Sequence, residues 1–465
     1  MSTLRKQTEA ENRVSAFFET IRRAFAEFLL VPTGLIAGFL LLALGSYALD
    51  SSQITDPGPV RSFLKSHIFA NSDATSSLLA AIAAGVITMT SITISLLLIA
   101  VQQSASSMTG QVYDQFLRRK VNQIYFGYFI GLALFSLVTL ATVNDPFNPV
   151  FGATIAFLAT MVSLYLLILL LYTTINQMRP IEIIETIHEH ILAARSRQAA
   201  FLRRTRSTAI HNGQFSVLVR TQRHGFLTHF DLDRIDEAAQ GSGELILLIS
   251  IGAYVAFEDV VARVCADTAD DASRIADAVA GALRIERQRD IAIDPAYGIE
   301  QLEMIGWTSI STAKSNPAPG LFAIQCLRDV MARWSVDAGE PPAEASVPVV
   351  YVDDVFDRLL TTFETFAVVS SESMQHQIFI ETLRTFTIMF DRLPTDKQDR
   401  AEDLLLRILS VLGDHVLTAE MDAALLDLSN RLELVGRSGA AEAYGNARQK
   451  LLTSVGEVNS RSTRV

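Results

Sequence analysis

Five polar side chains recur on one face of an otherwise apolar stretch in the first quarter of the chain. Between Asp73 and Asp114 there are 40 residues without a charged side chain. At about 100° per residue in an α-helix, five polar residues of this stretch fall within roughly 60° of one another. They are Thr88, Ser91, Ser95, Gln102 and Ser106. Because hydroxyl and amide groups are costly against lipid tails, this stripe predicts contact with protein or with water.

Two interpretations of the stripe are open at this point. Small and hydroxylated residues let membrane helices pack closely, and Ser and Thr can also bond to a backbone carbonyl one turn back. Alternatively, the five residues line a water-facing pathway. On that hypothesis Leu98 and Ile99, which lie on the same face, form an apolar constriction in the pathway.

Histidines and carboxylates elsewhere could in principle bind a metal. His188 and His190 lie two residues apart on a predicted helix and point about 160° apart, so a shared metal is not expected. His229, Asp231 and Asp233 would share one face of a strand, where a metal could bind. A solvated hairpin is the simpler interpretation, and no metal site is predicted.

Motifs that carry catalysis or bind cofactors are not found in the sequence. It has no Walker A loop, dinucleotide fingerprint, Gly-x-Ser-x-Gly elbow or kinase signature. Asp290 and Asp294 are better placed to cap a helix than to catalyse a reaction. Cys265 and Cys326 are far apart and outside any metal-ligand spacing. We therefore predict no catalytic residue and no cofactor.

Four apolar stretches are long enough to cross a bilayer. They cover residues 29–48, 78–101, 125–143 and 150–174. Before them, apolar residues recur with helical period over residues 1–28, which indicates an amphipathic helix at the membrane surface. The sequence therefore predicts a multi-pass protein in contact with the lipid bilayer.

Basic residues predict the orientation of these spans. Arg118, Arg119 and Lys120 lie between the second and third spans, and Arg179 follows the fourth. Five more basic residues precede the first span, whereas the opposite side offers only Arg61 and Lys65. By the positive-inside rule, both termini are cytoplasmic.

Charge is distributed unevenly along the 465 residues. Hydrophobic residues make up 49% of the chain, and the net charge is −11. Residues 1–179 carry a net charge of +2, so the remainder carries −13. An acidic domain of this kind is a poor nucleic-acid binder, because phosphate contacts require a positive surface.

The fold class predicted from these patterns is a mainly α membrane protein. Four transmembrane helices are followed by a cytoplasmic α+β domain with a small β-rich module and a C-terminal helical bundle. The predicted segments are a four-helix membrane domain (29–178), a stalk helix (179–211), the β-rich module (212–264), a helical segment (265–338), a linker (339–350), the helical bundle (351–455) and a disordered tail (456–465).

Several segments together resemble a bacterial family of predicted membrane proteins, domain of unknown function 2254. They read "LLAAIAAGVITMTSITISLLLIAVQQSASS", "FLRRKVNQ", "TTINQMRPIEII", "RHGFLTHFDLDRIDEAA" and "IDPAYGIEQLEMI". After the last segment the chain reads "STAKSNPAPG", where family members typically carry a Ser-Pro-Gly-Ile-Asn-Asp-Pro turn. The resemblance implies a bacterial inner-membrane protein and supplies no activity.

We therefore expect a homo-oligomeric inner-membrane protein that acts as an ion channel or a transport-like protein. Its cytoplasmic domain would assemble or gate the oligomer. The alternative is a membrane-anchored scaffold or sensor without transport activity. An enzyme is not expected, because a cluster of ionisable residues within the spans is lacking. The sequence does not identify the ligand of the cytoplasmic domain.

Overall fold

The computed structural model forms two compact units, Met1–Arg179 and Pro180–Val465. It describes residues 29–52, 59–67, 69, 71–107, 120–145, 147–177, 179–211, 213–311, 316–337, 347–413, 415 and 417–454. The predicted N-terminal amphipathic helix (1–28), the tail (456–465) and most of the linker (339–346) lie outside these residues.

The first unit is helical over its described part. Its helices are α1 (Leu30–Ser52), α2 (Pro59–His67), α3 (Ser72–Ser107), α4 (Lys120–Thr142) and α5 (Val150–Gln177). Four of them, α1, α3, α4 and α5, are long and apolar enough to cross a membrane, which confirms the four predicted spans. The short helix α2 lies in a stretch that carries turn signals in the sequence.

Helix α4 is the centre of this unit, because half of its membrane segment is buried against α1, α3 and α5. Phe129, Leu132 and Phe135 are completely buried in its core. Glycines allow α1 to approach α4 closely. A Cβ atom on Gly127 would lie 2.8 Å from the Pro32 Cα atom, and one on Gly131 would overlap the Phe39 ring.

The second unit begins with a long helix and two small sheets. Its first elements are α6 (Pro180–Arg204), β1 (Phe215–Arg220), β2 (Gly225–Phe230), α7 (Leu232–Ala239), β3 (Gly243–Leu247), β4 (Tyr254–Val255), β5 (Val260–Ala266), α8 (Ala269–Ala282) and β6 (Leu283–Glu286). One further strand, β7 (Val349–Val350), comes from much later in the chain.

The strands form a four-stranded sheet in the order β1-β5-β3-β7 and a three-stranded sheet in the order β4-β2-β6. Neighbouring strands are antiparallel except for β3 and β7, which are parallel. Helix α8 packs on the larger sheet through Ile275 and Val279, which are completely buried in one core with Leu245 and Val264.

Two strands correct the predicted segments. The stretch that contains Leu283–Glu286 was expected to be helical, and Val349–Val350 was assigned to the linker. Both predictions are wrong, because each strand pairs with a distant one: Leu283 with Phe230 of β2, and Val349 with Leu245 of β3. The β-rich part is therefore completed by chain from outside residues 212–264.

The rest of the second unit is helical in its described part. The helices are α9 (Pro295–Ile310), α10 (Ala318–Asp337), α11 (Val355–Glu372), α12 (His376–Met389), α13 (Thr395–Leu412), α14 (Ala419–Leu434) and α15 (Ser438–Ser454). Between α11 and α12 the chain turns at Met374, whose φ angle is +58°. Helix α11 packs against α12 through buried aromatic rings such as Phe363 and Phe386, whose centroids lie 5.4 Å apart.

Candidate functional site

Helix α3 presents the predicted polar stripe on the outer surface of the first unit. Thr88, Ser91 and Ser95 are all exposed, as is Gln102. The stripe is thus not buried among the unit's own four spans. Ser106 belongs to the same helix, but its side chain lies outside the described part of the chain.

Each described hydroxyl of the stripe is bonded to the backbone of its own helix. Thr88 donates to the Ala84 carbonyl (2.9 Å), Ser91 to Ile87 (3.2 Å) and Ser95 to Ser91 (3.0 Å). A hydroxyl has one proton to donate, so these three side chains can turn only acceptor lone pairs outward. At these three positions the stripe therefore offers oxygen acceptors to a neighbour.

Small residues extend the stripe along the helix. We call the exposed set the α3 ridge: it consists of Ser77, Ala81, Ala84, Gly85, Thr88, Ser91 and Ser95. A Cβ atom on Gly85 would meet nothing within 4 Å, so the space beside it is open in this chain. Ser77 was not singled out from the sequence, although it lies on the same face by helical period.

The opposite face of α3 carries the bulk that packs inside the unit. Leu79, Val86 and Leu97 are almost completely buried there. Leu98 and Ile99 lie on the outer surface, with 56% and 57% of their area exposed. The two residues proposed as a constriction therefore adjoin the α3 ridge, at the end nearer Gln102.

The α3 ridge differs most from the outward surface of α5, which exposes large apolar side chains suited to lipid: Met161, Tyr165, Ile168 and Tyr172. Helix α1 exposes both kinds, large residues such as Leu41 and Leu44 and small ones such as Gly34 and Gly38. Lipid tails gain nothing from small hydroxylated residues, whereas a second helix can approach them closely. The ridge thus has the composition of a contact with protein or water.

A buried carboxylate at the end of α1 was missed by sequence reasoning, which ended the first span at residue 48. Helix α1 continues to Ser52, and Asp50 is completely buried. Its carboxylate accepts hydrogen bonds from the backbone N–H groups of Phe151 and Gly152, both at 3.1 Å. An acidic residue in the last turn of a helix is disfavoured by the dipole of that helix. Its presence therefore indicates hydrogen-bond donors from another element, which here is the N-terminus of α5.

The comparison with protein families agrees with this membrane architecture. A family model described as "Predicted membrane protein (DUF2254)" matches residues 26–384. The chain belongs to this family. The match contains all four spans and every described strand, and it continues into α12. No curated protein and no solved structure matches the chain.

In this DUF2254 chain two of the candidate metal residues, His188 and Asp231, have structural partners. His188 Nε2 lies 2.9 Å from the Asp329 carboxylate, and Asp231 caps α7 by accepting from the N–H groups of Asp233 and Arg234. Within the described ranges, no group of three or more His, Cys, Asp or Glu side chains could hold a metal ion.

The predicted capping role of Asp294 is confirmed. Its carboxylate accepts from the Tyr297 N–H at the start of α9 (3.1 Å) and from Arg289 Nε (2.7 Å). Burial raises the pKa of Asp294, although the Arg289 guanidinium acts in the opposite direction. Arg289 also binds Glu300 at 2.6 Å, and Glu300 in turn pairs with Arg358 of α11. This network fastens the start of α9 within the second unit.

Two histidines, His376 and His415, lie beside an open cleft of about 630 Å³ in the second unit. The Nδ1 atoms of His376 and His415 lie 2.9 Å apart, so one ring donates to the other. His415 is buried against Phe379, whereas His376 lines the cleft together with Thr418 and Glu420. Burial lowers the pKa of His376 below its ordinary value of 6.5.

Proposed function

We propose that this protein is a homo-oligomeric ion channel or transport-like protein of the bacterial inner membrane, with both termini in the cytoplasm. In this proposal the α3 helices of neighbouring copies face one another and line the pathway. Thr88, Ser91, Ser95, Gln102 and Ser106 line it, while Leu98 and Ile99 narrow it. The proposal assigns no catalytic step and no cofactor to the protein.

The exposure of the α3 ridge carries this proposal. A polar stripe hidden within one copy's own four spans would have argued against conduction, but Thr88, Ser91 and Ser95 are exposed. In a bilayer, this surface is better satisfied by a neighbouring copy or by water than by acyl chains. A ring of copies provides both environments at once.

The direction of the hydroxyl bonds favours cations over anions. Because the protons of Thr88, Ser91 and Ser95 are donated to backbone carbonyls, the pathway would meet an ion with oxygen lone pairs. Oxygen acceptors replace water around a cation, whereas an anion needs donors. The net charge of −13 on the second unit would also concentrate cations near an inner opening.

Orientation puts the constriction near the cytoplasm. With Arg118, Arg119 and Lys120 inside, α3 runs from outside at Ser72 to inside at Ser107. Leu98 and Ile99 then lie in the inner half of the helix. An apolar constriction of this kind gates by excluding water.

The test is ion flux through purified full-length protein in liposomes. Leu98→Ser is expected to raise cation flux by wetting the constriction, because a hydroxyl replaces an exposed leucine without touching the core. Leu164→Ser on α5 is the matched control, since Leu164 is also half exposed but lies away from the ridge. The absence of flux under every voltage, tension and ionic condition, with Leu98→Ser also silent, would remove the proposal.

One observation favours a second candidate, a membrane-anchored scaffold or sensor. The hydroxyls of Thr88, Ser91 and Ser95 already donate to the backbone of their own helix, so they do not require water. On this alternative the ridge serves only helix packing between copies. It predicts that Ser95→Ala leaves every flux measurement unchanged while partner binding by the cytoplasmic part persists.

A further inference from the structure

Strand β1 forms an open edge of the four-stranded sheet. It is first in the order β1-β5-β3-β7 and pairs with β5 alone among the described strands. Phe215, Val217 and Leu218 are exposed by 43%, 38% and 48%. An edge of this length presents a row of backbone donors and acceptors that can accept another strand.

The other sheet edges of the described chain are protected. Strands β4 and β7 have only two residues each. Beside β7, Arg206 donates its N–H to the Val349 carbonyl (2.8 Å) and accepts from the Tyr351 N–H (2.8 Å). Strand β6 carries the charged residues Arg284 and Glu286. Short length, cover and charge are the usual defences of an edge.

Strand β1 lacks these defences. From Phe215 to Val219 it has no proline and no charged residue. The irregularity between Val219 and Arg220 places the additional residue on β5 and leaves β1 regular. We propose that β1 pairs antiparallel with β1 of a second copy of this chain, about a two-fold axis at Val217.

The register follows from which side chains share a face. Pairing Val217 with itself places Phe215 opposite Val219 of the second copy and Ser216 opposite its Leu218. In this register every side chain lies opposite a side chain on the same face of the joined sheet, as strand pairing requires. Apolar residues meet on the face that carries α8, where Val219 is already buried.

Charge supports a second copy as the occupant. Arg220 ends β1 at one side, and Asp267 follows the β5 residue Ala266, which pairs with Phe215 at the other side. The two-fold axis brings Arg220 of each copy towards Asp267 of the other, on the same face of the joined sheet. Both side chains are exposed. Asp267 pairs with His211 of its own chain through Oδ1 (3.2 Å), and Arg220 bonds to the Glu258 carbonyl through Nη1 (2.7 Å), so each has a further polar atom to offer.

The surroundings of β1 also permit contact between two acidic units. No Asp or Glu occurs between residues 190 and 230, although the second unit carries −13 overall. Within the two paired β1 strands no carboxylate therefore opposes another, and the nearest carboxylates, Glu258 and Asp267, lie at the two ends of β1. Copies in one bilayer also share an orientation and a high effective concentration. This contact lies outside the proposed pathway and does not depend on ion movement.

Cysteine cross-linking of the full-length protein in membranes tests the proposal. In a Cys265→Ser, Cys326→Ala background, Val217→Cys is expected to form a disulfide-linked dimer on mild oxidation, because directly opposed Cβ atoms lie within about 5.5 Å. Val352→Cys, exposed by 62% elsewhere in the unit, measures random collision. Dimer at several times the Val352→Cys level is the expected result.

A second experiment tests the register with residues that face solvent. Differently tagged Ser216→Cys and Leu218→Cys copies, made in the same cells, are expected to cross-link to each other more than either does to itself. Both variants alter exposed side chains only, so folding is preserved. Yields at the collision level in both experiments, or links to another protein instead, would overturn the proposal. Flux through the membrane is measured separately, so failure here leaves the channel proposal untouched.

Discussion

The carboxylate of Asp50 binds the backbone N–H of Gly152 at 3.1 Å and so joins the end of the first span to the start of the fourth. The same carboxylate accepts from Phe151, also at 3.1 Å. Because Asp50 is completely buried, these bonds form where water cannot replace them. The interaction combines a charged hydrogen bond with the positive end of α5.

Replacing Asp50 with leucine is expected to lower the free energy of unfolding by about 2–4 kcal/mol, since hydrogen bonds to a charged group contribute about 1.5–3 kcal/mol. Asp50→Asn should lose less, because one oxygen acceptor remains. Unfolding in detergent followed by circular dichroism measures both. Ser51→Ala is the control, because its exposed hydroxyl bonds only to the Ala48 carbonyl of its own helix. Equal losses of unfolding free energy for Asp50→Leu and Ser51→Ala would contradict the role assigned to Asp50.

Close approach of α1 and α4 yields a second prediction. A Cβ atom at Gly127 would lie 2.8 Å from the Pro32 Cα atom, so backbone would have to move. Gly127→Ala should therefore destabilise the first unit by about 1–3 kcal/mol, as overpacking does. Gly38→Ala is the matched control on α1, because a Cβ atom there meets nothing within 4 Å. The same unfolding measurement should find no loss for the control, which can gain up to about 1 kcal/mol from the higher helix propensity of alanine.

The α3 ridge predicts a change that affects association and not folding. Gly85→Leu adds bulk to open space, so the stability of a single copy should be unchanged. If neighbouring copies pack on this ridge, the leucine should separate them and lower the oligomeric mass in light scattering. Gly38→Leu, which adds the same side chain to an exposed position on α1, should leave the mass unchanged. The ridge is no interface if both variants keep the natural mass.

The four spans can be predicted from sequence because each satisfies its own backbone and must be apolar throughout. The polar stripe can be predicted too, since Thr88, Ser91 and Ser95 follow helical period. The exposure of the stripe cannot be predicted from sequence. It depends on which face of α3 packs against the other spans, and Val86 and Leu97 are buried on that face. Periodicity locates a stripe, and only tertiary contacts decide what it faces.

The burial of Asp50 and the strands β6 and β7 are harder to predict from sequence for the same reason. The donors that retain Asp50 come from Phe151 and Gly152, which are distant in sequence. Strand β7 has two residues, and its pairing with Leu245 and Ile246 is what makes it a strand. Short-range patterns carry no record of such partners. Caps are different: Asp294 precedes a proline at the start of α9, so its role follows from local chemistry.

The pair of His376 and His415 predicts how the second unit responds to acid. Burial holds the pKa of His376 below 6.5, so the folded chain binds fewer protons at this site than the unfolded chain as pH falls past 6.5. Folding stability from this residue is therefore present above about pH 6.5 and is lost as the pH falls through its folded pKa. A charged His376 would also turn an N–H towards His415, where the neutral pair shares one proton.

His376→Gln is expected to flatten the fall in unfolding temperature of the full chain between about pH 7.5 and about pH 5. The amide does not titrate, so the part of the slope that comes from His376 disappears. His224→Gln, at an exposed position, is the control and should keep the natural slope. Parallel slopes for the two variants would mean that protonation of His376 does not limit stability.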